Sequence, residues 1–165
     1  MSRFNCFYRM ITDLTIVEEL ELVELFRCYC ESALWSSLDN NGQPLNELFS
    51  PSDMEECCLN RMLNDCRKFL EDQRVTIMAA YDQGWFETTD KAFQQAGHDF
   101  WLTRNGHGCG FWDGGWPDRV GEILARAAKK FGEFSLYVTY ATDHGYRREC
   151  RGASGGGDMN TVNCV

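Results

Sequence analysis

Nowhere in this chain do apolar residues run for the ~18 to 20 positions that a membrane-spanning helix needs, so no membrane span is expected. No secretory leader is expected either, because Met1 to Met10 mixes Arg3, Asn5 and Arg9 into too short an apolar run. Positive charge is in short supply. Sixteen Lys and Arg face twenty-five Asp and Glu, and the net charge of -9 speaks against binding nucleic acid through its phosphates, which takes a basic face. Such a surface suits solubility, attraction of a basic partner, or imitation of nucleic acid. The nine cysteines include no Cys-x-x-Cys. On a helix Cys28 and Cys30 point about 200° apart and Cys57 and Cys58 about 100°, so neither pair is a ready chelate. An odd count without a leader reads as free thiols in a reducing cytosol. The turn that opens at Asp39 lacks the sixth-position Gly and twelfth-position Glu of a calcium loop, and no metal or cofactor is expected.

What is present suits one domain. A chain of 165 residues buries roughly 70% of its unfolded surface, enough for a core without staples. The pattern predicts a domain over 1–141 and a loose Gly-rich tail over 142–165. A first helix is expected from Leu14 to Ser37, capped by Thr12 or Asp13. Glu18, Glu21, Glu24, Arg27 and Glu31 would line one solvated stripe. Ile16, Leu20, Val23, Phe26, Tyr29, Ala33 and Leu34 spread over an arc wide enough to pack on more than one side. A turn at 39–45 precedes a second helix from Ser50-Pro51, whose buried face carries Met54, Cys58, Met62, Cys66, Phe69 and Leu70. Val75 to Tyr81 extends it or starts another, up to Gly84. Thr89-Asp90 then caps a short helix ending at Gly97.

The stretch from His98 to Asp113 sets two aromatic runs either side of Asn105-Gly106, the strongest local signal for a two-residue type I′ hairpin. The predicted register places Arg104 opposite His107, Leu102 opposite Cys109, Phe100 opposite Phe111 and His98 opposite Asp113. A helix from Asp118, stopped by Gly132, would cross over to a third strand at Phe134 to Ala141. The expected product is an α+β domain: a small three-stranded sheet, the hairpin plus one strand after a crossover helix, packed against several helices.

Glu31 to Ser37, Asp39 to Leu45, and Ala96-Gly97-His98-Asp99-Phe100-Trp101-Leu102-Thr103-Arg104-Asn105-Gly106-His107-Gly108 with Gly110-Phe111-Trp112-Asp113 together resemble an uncharacterised family of small proteins of tailed bacteriophages, prophages and some plasmids. The resemblance covers about residues 15 to 140. It implies a phage origin and a host cytoplasm, but no particular activity. Residues 75–92 look like an insertion relative to that family, and the end from Thr139 departs from its pattern.

Three kinds of function fit these residues. The first is an accessory protein that binds a host or phage protein, in counter-defence or host takeover, through an acidic helix face carrying Glu18, Glu21, Glu24 and Glu31 or through a strand edge. A homo-oligomer is compatible with it. The second is a nucleotide or small-molecule binder, such as a signal sponge, in which Arg104, Asn105 and His107 receive an anion and Trp101, Trp112 and Trp116 stack a base. The third is a small hydrolase using His98 as base and Asp113 as its partner. Each has a plain structural counterpart: a solvated face, turn chemistry with core packing, and a His-carboxylate pair closing the hairpin.

Overall fold

The computed structural model describes residues 16–139 and 161–165. They form four α-helices, two short 3-10 turns and a two-stranded antiparallel sheet, a mostly helical α+β arrangement. Helix α1 spans Ile16–Ser36, and the expected caps Thr12 and Asp13 lie outside the described residues. A turn pinned by Asp39 follows, its carboxylate accepting from the backbone amides of Asn41 and Gln43. The second helix was expected to begin at Ser50. In its place Ser50 and Asp53 close a capping box over the 3-10 turn Pro51–Asp53, and helix α2 runs from Glu56 to Asp82. Cys58, Met62, Cys66, Phe69 and Leu70 form the expected buried face of α2, whereas Met54, also buried, precedes the helix in extended backbone.

The predicted hairpin is replaced by helix. Helix α3 spans Thr89–Arg104, with the Thr88 side chain accepting from the Lys91 amide at its N-cap. It continues straight through Gly97, which was expected to stop it. At Gly97 an added Cβ would collide with the Leu25 carbonyl oxygen of α1, so the glycine serves close helix contact. Asn105-Gly106 is the helix stop. Asn105 sits at φ -92° and only Gly106 takes positive φ, at +68°. The Gly106 amide donates to Thr103 O and the His107 amide to Leu102 O, the paired bonds of a Schellman cap. A type I′ turn needs positive φ at both central residues, and Asn105 does not supply it.

The loop after α3 folds back over it, burying Phe111 and Trp116. Helix α4, Asp118–Lys129, leads to strand β1, Leu136–Thr139, inside the stretch expected as the third strand. Its partner is strand β2, Thr161–Cys164, antiparallel with Leu136 opposite Cys164 and Thr139 opposite Thr161. The expected loose tail is thus corrected at its end. Val162 is wholly buried, bridges Met54, and accepts from the Glu55 amide through its carbonyl.

The core is aromatic where the helices meet. Phe69 of α2 stacks on Phe100 of α3 at 4.2 Å, and Tyr29 of α1 meets Trp101 edge to face at 5.2 Å. These contacts fix α1, α2 and α3 around one centre.

Candidate functional site

The residues singled out from sequence separate into a buried set and a surface set. Arg104 belongs to the interior. Its Nη1 donates to Tyr29 Oη at 2.7 Å and to Asp65 Oδ2 at 2.8 Å, its Nε to Gly132 O, and its Nη2 to Phe131 O. The guanidinium also lies 5.2 to 5.7 Å from the ring centres of Phe100, Phe131 and Phe134. With these partners filled it presents no free fork to an anion. Burial pushes the Tyr29 phenol well above its usual range, so it stays neutral beside the cation.

The other turn residues are structural as well. Asn105 donates to Trp101 O and accepts from the Phe134 amide, tying the end of α3 to the approach of β1. His107, half-buried, is not paired with Arg104 across a hairpin but follows the cap. Trp101 is buried and donates to Ser36 Oγ; Trp116 is buried and donates to Asp99 Oδ2 at 2.7 Å. Only Trp112 keeps an open face, with Lys129 Nζ 5.3 Å from its ring. No aromatic platform for a base is assembled from Trp101, Trp112 and Trp116.

His98 and Asp113 are not partners. Asp113 accepts from the Gly110 amide within its own loop, whereas His98 Nδ1 donates to Asp99 Oδ1 at 2.9 Å. Asp99 is buried, and its other oxygen is taken by Trp116 and Gln95. The imidazole is therefore oriented by a fixed carboxylate, with 43% of its side chain exposed. It borders an open groove of about 460 Å³ lined by Cys28, Glu31 and Trp35 of α1 and by Phe49 and Pro51 of the following turn. Burial raises the Cys28 thiol, so the groove offers an oriented base and a protonated thiol. The sequence pointed to His98 but named the wrong carboxylate, because the adjacent Asp99 lies off the same face in a strand and within reach in a helix.

The acidic stripe is largely compensated from within. Glu21 is buried and receives Nε and Nη2 of Arg74 on α2 at 2.6 and 2.8 Å. Arg27 reaches Glu24 and Glu31, one turn to either side, both at 2.9 Å. The Arg27 hydrogen bond holds the Glu24 carboxyl below its usual range. Glu18 lies half-buried near the start of the described helix.

A different feature of α1 stands open. Ile16, Leu20 and Val23 were expected in the packed arc with Phe26, Tyr29, Ala33 and Leu34. The latter four are buried, but Ile16 is 77% exposed, Leu20 56% and Val23 36%. With Arg27, Glu31 and Trp35, itself 54% exposed, they fall at spacings of three and four along one outward line of the helix. The signal for this line was in the sequence, since an apolar arc wider than one packing face must leave an edge uncovered or meet a second partner.

Among the described residues no group of three or more His, Cys, Asp and Glu side chains is placed to hold a metal, and no helix is long and apolar enough to cross a membrane. Compared with family models, curated proteins and solved structures, the chain matches none.

Proposed function

We propose that the protein works by binding another protein through the outward line of α1, not by catalysis. The observation that carries this reading is the exposure of Ile16, Leu20, Val23 and Trp35 along that line. Large apolar side chains left open in a row, not singly, are the usual mark of a docking surface. Arg27 already bridges Glu24 and Glu31 beside the row, so the basic rim of a fitting partner's apolar groove answers the net charge of -9 of the chain as a whole. In the setting implied by the phage resemblance, the partner is a host or phage protein in the host cytoplasm, and the role is an accessory one in counter-defence or host takeover.

The test is quantitative affinity purification of tagged wild type, Leu20→Glu and Trp35→Ala from infected host cells. One stoichiometric partner is expected with wild type, depleted at least about tenfold with Leu20→Glu while circular dichroism stays unchanged. Equal recovery by all three would sink the reading. A dimer in native mass spectrometry, lost in Leu20→Glu, would instead assign the surface to a second copy.

A second reading rests on the groove beside His98. Its volume of about 460 Å³ lies in the range of small-molecule sites, and the Asp99-oriented imidazole supplies one fixed polar contact. Native mass spectrometry of protein purified without chelator distinguishes it. A bound nucleotide or metabolite lost in His98→Ala favours the groove.

A further inference from the structure

A second cleft, of about 310 Å³, opens between α2 and the end of α4 and shares no lining residue with the groove beside His98. Lys68, Asp72 and Gln73 line it from α2, and Lys130, the C-cap residue of α4, lines it from the neighbouring element. Phe69 and Phe131 form its apolar wall. Phe69 is wholly buried and stacked on Phe100, and Phe131 meets the same Phe100 ring edge to face at 5.0 Å, so the wall is fixed from behind.

Gln73 sets this cleft apart. Its Oε1 is the one buried side-chain nitrogen or oxygen left without a hydrogen-bond partner among the described residues. Buried acceptors are nearly always paired, so an orphan in the wall of a cleft marks a missing donor. The charges around it are unpaired as well. Lys68, Asp72 and Lys130 are exposed, and none of them takes part in an ion pair among the described residues. Two cations and one carboxylate thus border an unpaired acceptor and an apolar wall, a local reversal of sign in a chain of net charge -9.

We propose that this cleft binds a free α-amino acid with an apolar side chain. The ammonium group supplies the donor that Gln73 Oε1 lacks and is the counter-ion of Asp72, the adjacent residue on α2. The carboxylate lies between Lys68 and Lys130, which come from two different elements. The side chain rests against Phe131, above Phe69. The terminal torsion of a glutamine is broad, so the amide oxygen can turn toward the cleft at little cost. A volume of about 310 Å³ stands at the small end of ligand sites and admits a branched or aromatic amino acid but little more. A phosphate ester fits less well, because its second negative charge would face Asp72.

The test is equilibrium dialysis of the full-length protein against radiolabelled L-phenylalanine, with unlabelled competitors. One saturable site is expected in wild type. 3-Phenylpropionate, which lacks the ammonium, and L-phenylalaninamide, which lacks the carboxylate, should each compete at least about tenfold more weakly than L-phenylalanine. Gln73→Leu should weaken binding about tenfold and raise the thermal midpoint of the ligand-free protein, since it removes the unpaired buried oxygen. Lys130→Ala, at an exposed position, should weaken binding while circular dichroism stays unchanged. Absence of saturable uptake by wild type, equal competition by 3-phenylpropionate, or undiminished affinity in folded Gln73→Leu and Lys130→Ala each overturns the proposal. Displacement by AMP as effective as by L-phenylalanine would overturn it too, and would assign the cleft to a phosphate ester.

Discussion

Arg104 of α3 and Asp65 of α2 meet at 2.8 Å across the inside of the helical layer, with the arginine side chain 2% exposed and the carboxylate 33%. One partner is sealed in and the other reaches water. Removing the sealed partner leaves four acceptors, Asp65, Tyr29 Oη and the Phe131 and Gly132 carbonyls, without their common donor.

Arg104→Met is therefore expected to destabilise the protein by about 3 kcal/mol or more. Arg104→Lys should recover only part of that, because an ammonium cannot reproduce the planar fork toward Asp65, Tyr29 and two carbonyls. Urea unfolding followed by circular dichroism measures both. Wild-type stability in Arg104→Met would mean that lost desolvation cost offsets the whole network.

Gly97 tests the contact between α1 and α3. A methyl group there would meet the Leu25 carbonyl, which belongs to helix backbone and cannot swing aside. Gly97→Ala gains helix propensity of about 1 kcal/mol but forces the helices apart, and a net loss of about 2 kcal/mol is expected. A stabilised variant, read from the thermal midpoint, would show that α1 and α3 do not approach as closely as described.

How far the sequence could be read depends on how each element is buried. Helix α2 packs on one side, so Cys58, Met62, Cys66, Phe69 and Leu70 recur at helical spacing and identify themselves. Asp99 to Arg104 are buried without a break. Where every side of a turn is covered, the 3.6-residue period disappears, and Phe100, Leu102 and Arg104 imitate the alternation of a strand. Asn-Gly then reinforces the imitation, because a hairpin and a Schellman cap both call for a positive-φ glycine. The deciding information lies upstream, in the Thr88 cap and in Ala92, Ala96, Phe100 and Arg104 at spacings of four. The candidate site was harder still to read. His98 depends on Asp99, the neighbour that a strand reading turns to the opposite face.

Trp112 and Trp116 separate surface from core. Trp116→Phe keeps an aromatic ring but deprives Asp99 of a donor at 2.7 Å, and a cost of about 1 to 2 kcal/mol is expected. Trp112→Ala removes a half-exposed ring over Lys129 and should cost no more than about 1 kcal/mol. Both follow from denaturant unfolding. A larger loss in Trp112→Ala than in Trp116→Phe would reverse the assignment.

The returning strand makes the last prediction. Val162 is wholly buried, its carbonyl accepts from Glu55, and its neighbours supply the only described partner strand of β1. Val162→Asp places a carboxylate in a wholly buried position, and burying a charge is costly enough that the strand should leave its site before the charge stays inside. Hydrogen exchange then reads the consequence by region. The amides that β1 donates to β2 should lose protection in Val162→Asp, together with the Glu55 amide. Those of α1 and α3, which meet each other through Gly97 and Trp101 and not through β2, should keep theirs. Loss of protection throughout would make β2 part of the cooperative core, and unchanged protection in β1 would remove the strand pairing from the fold in solution.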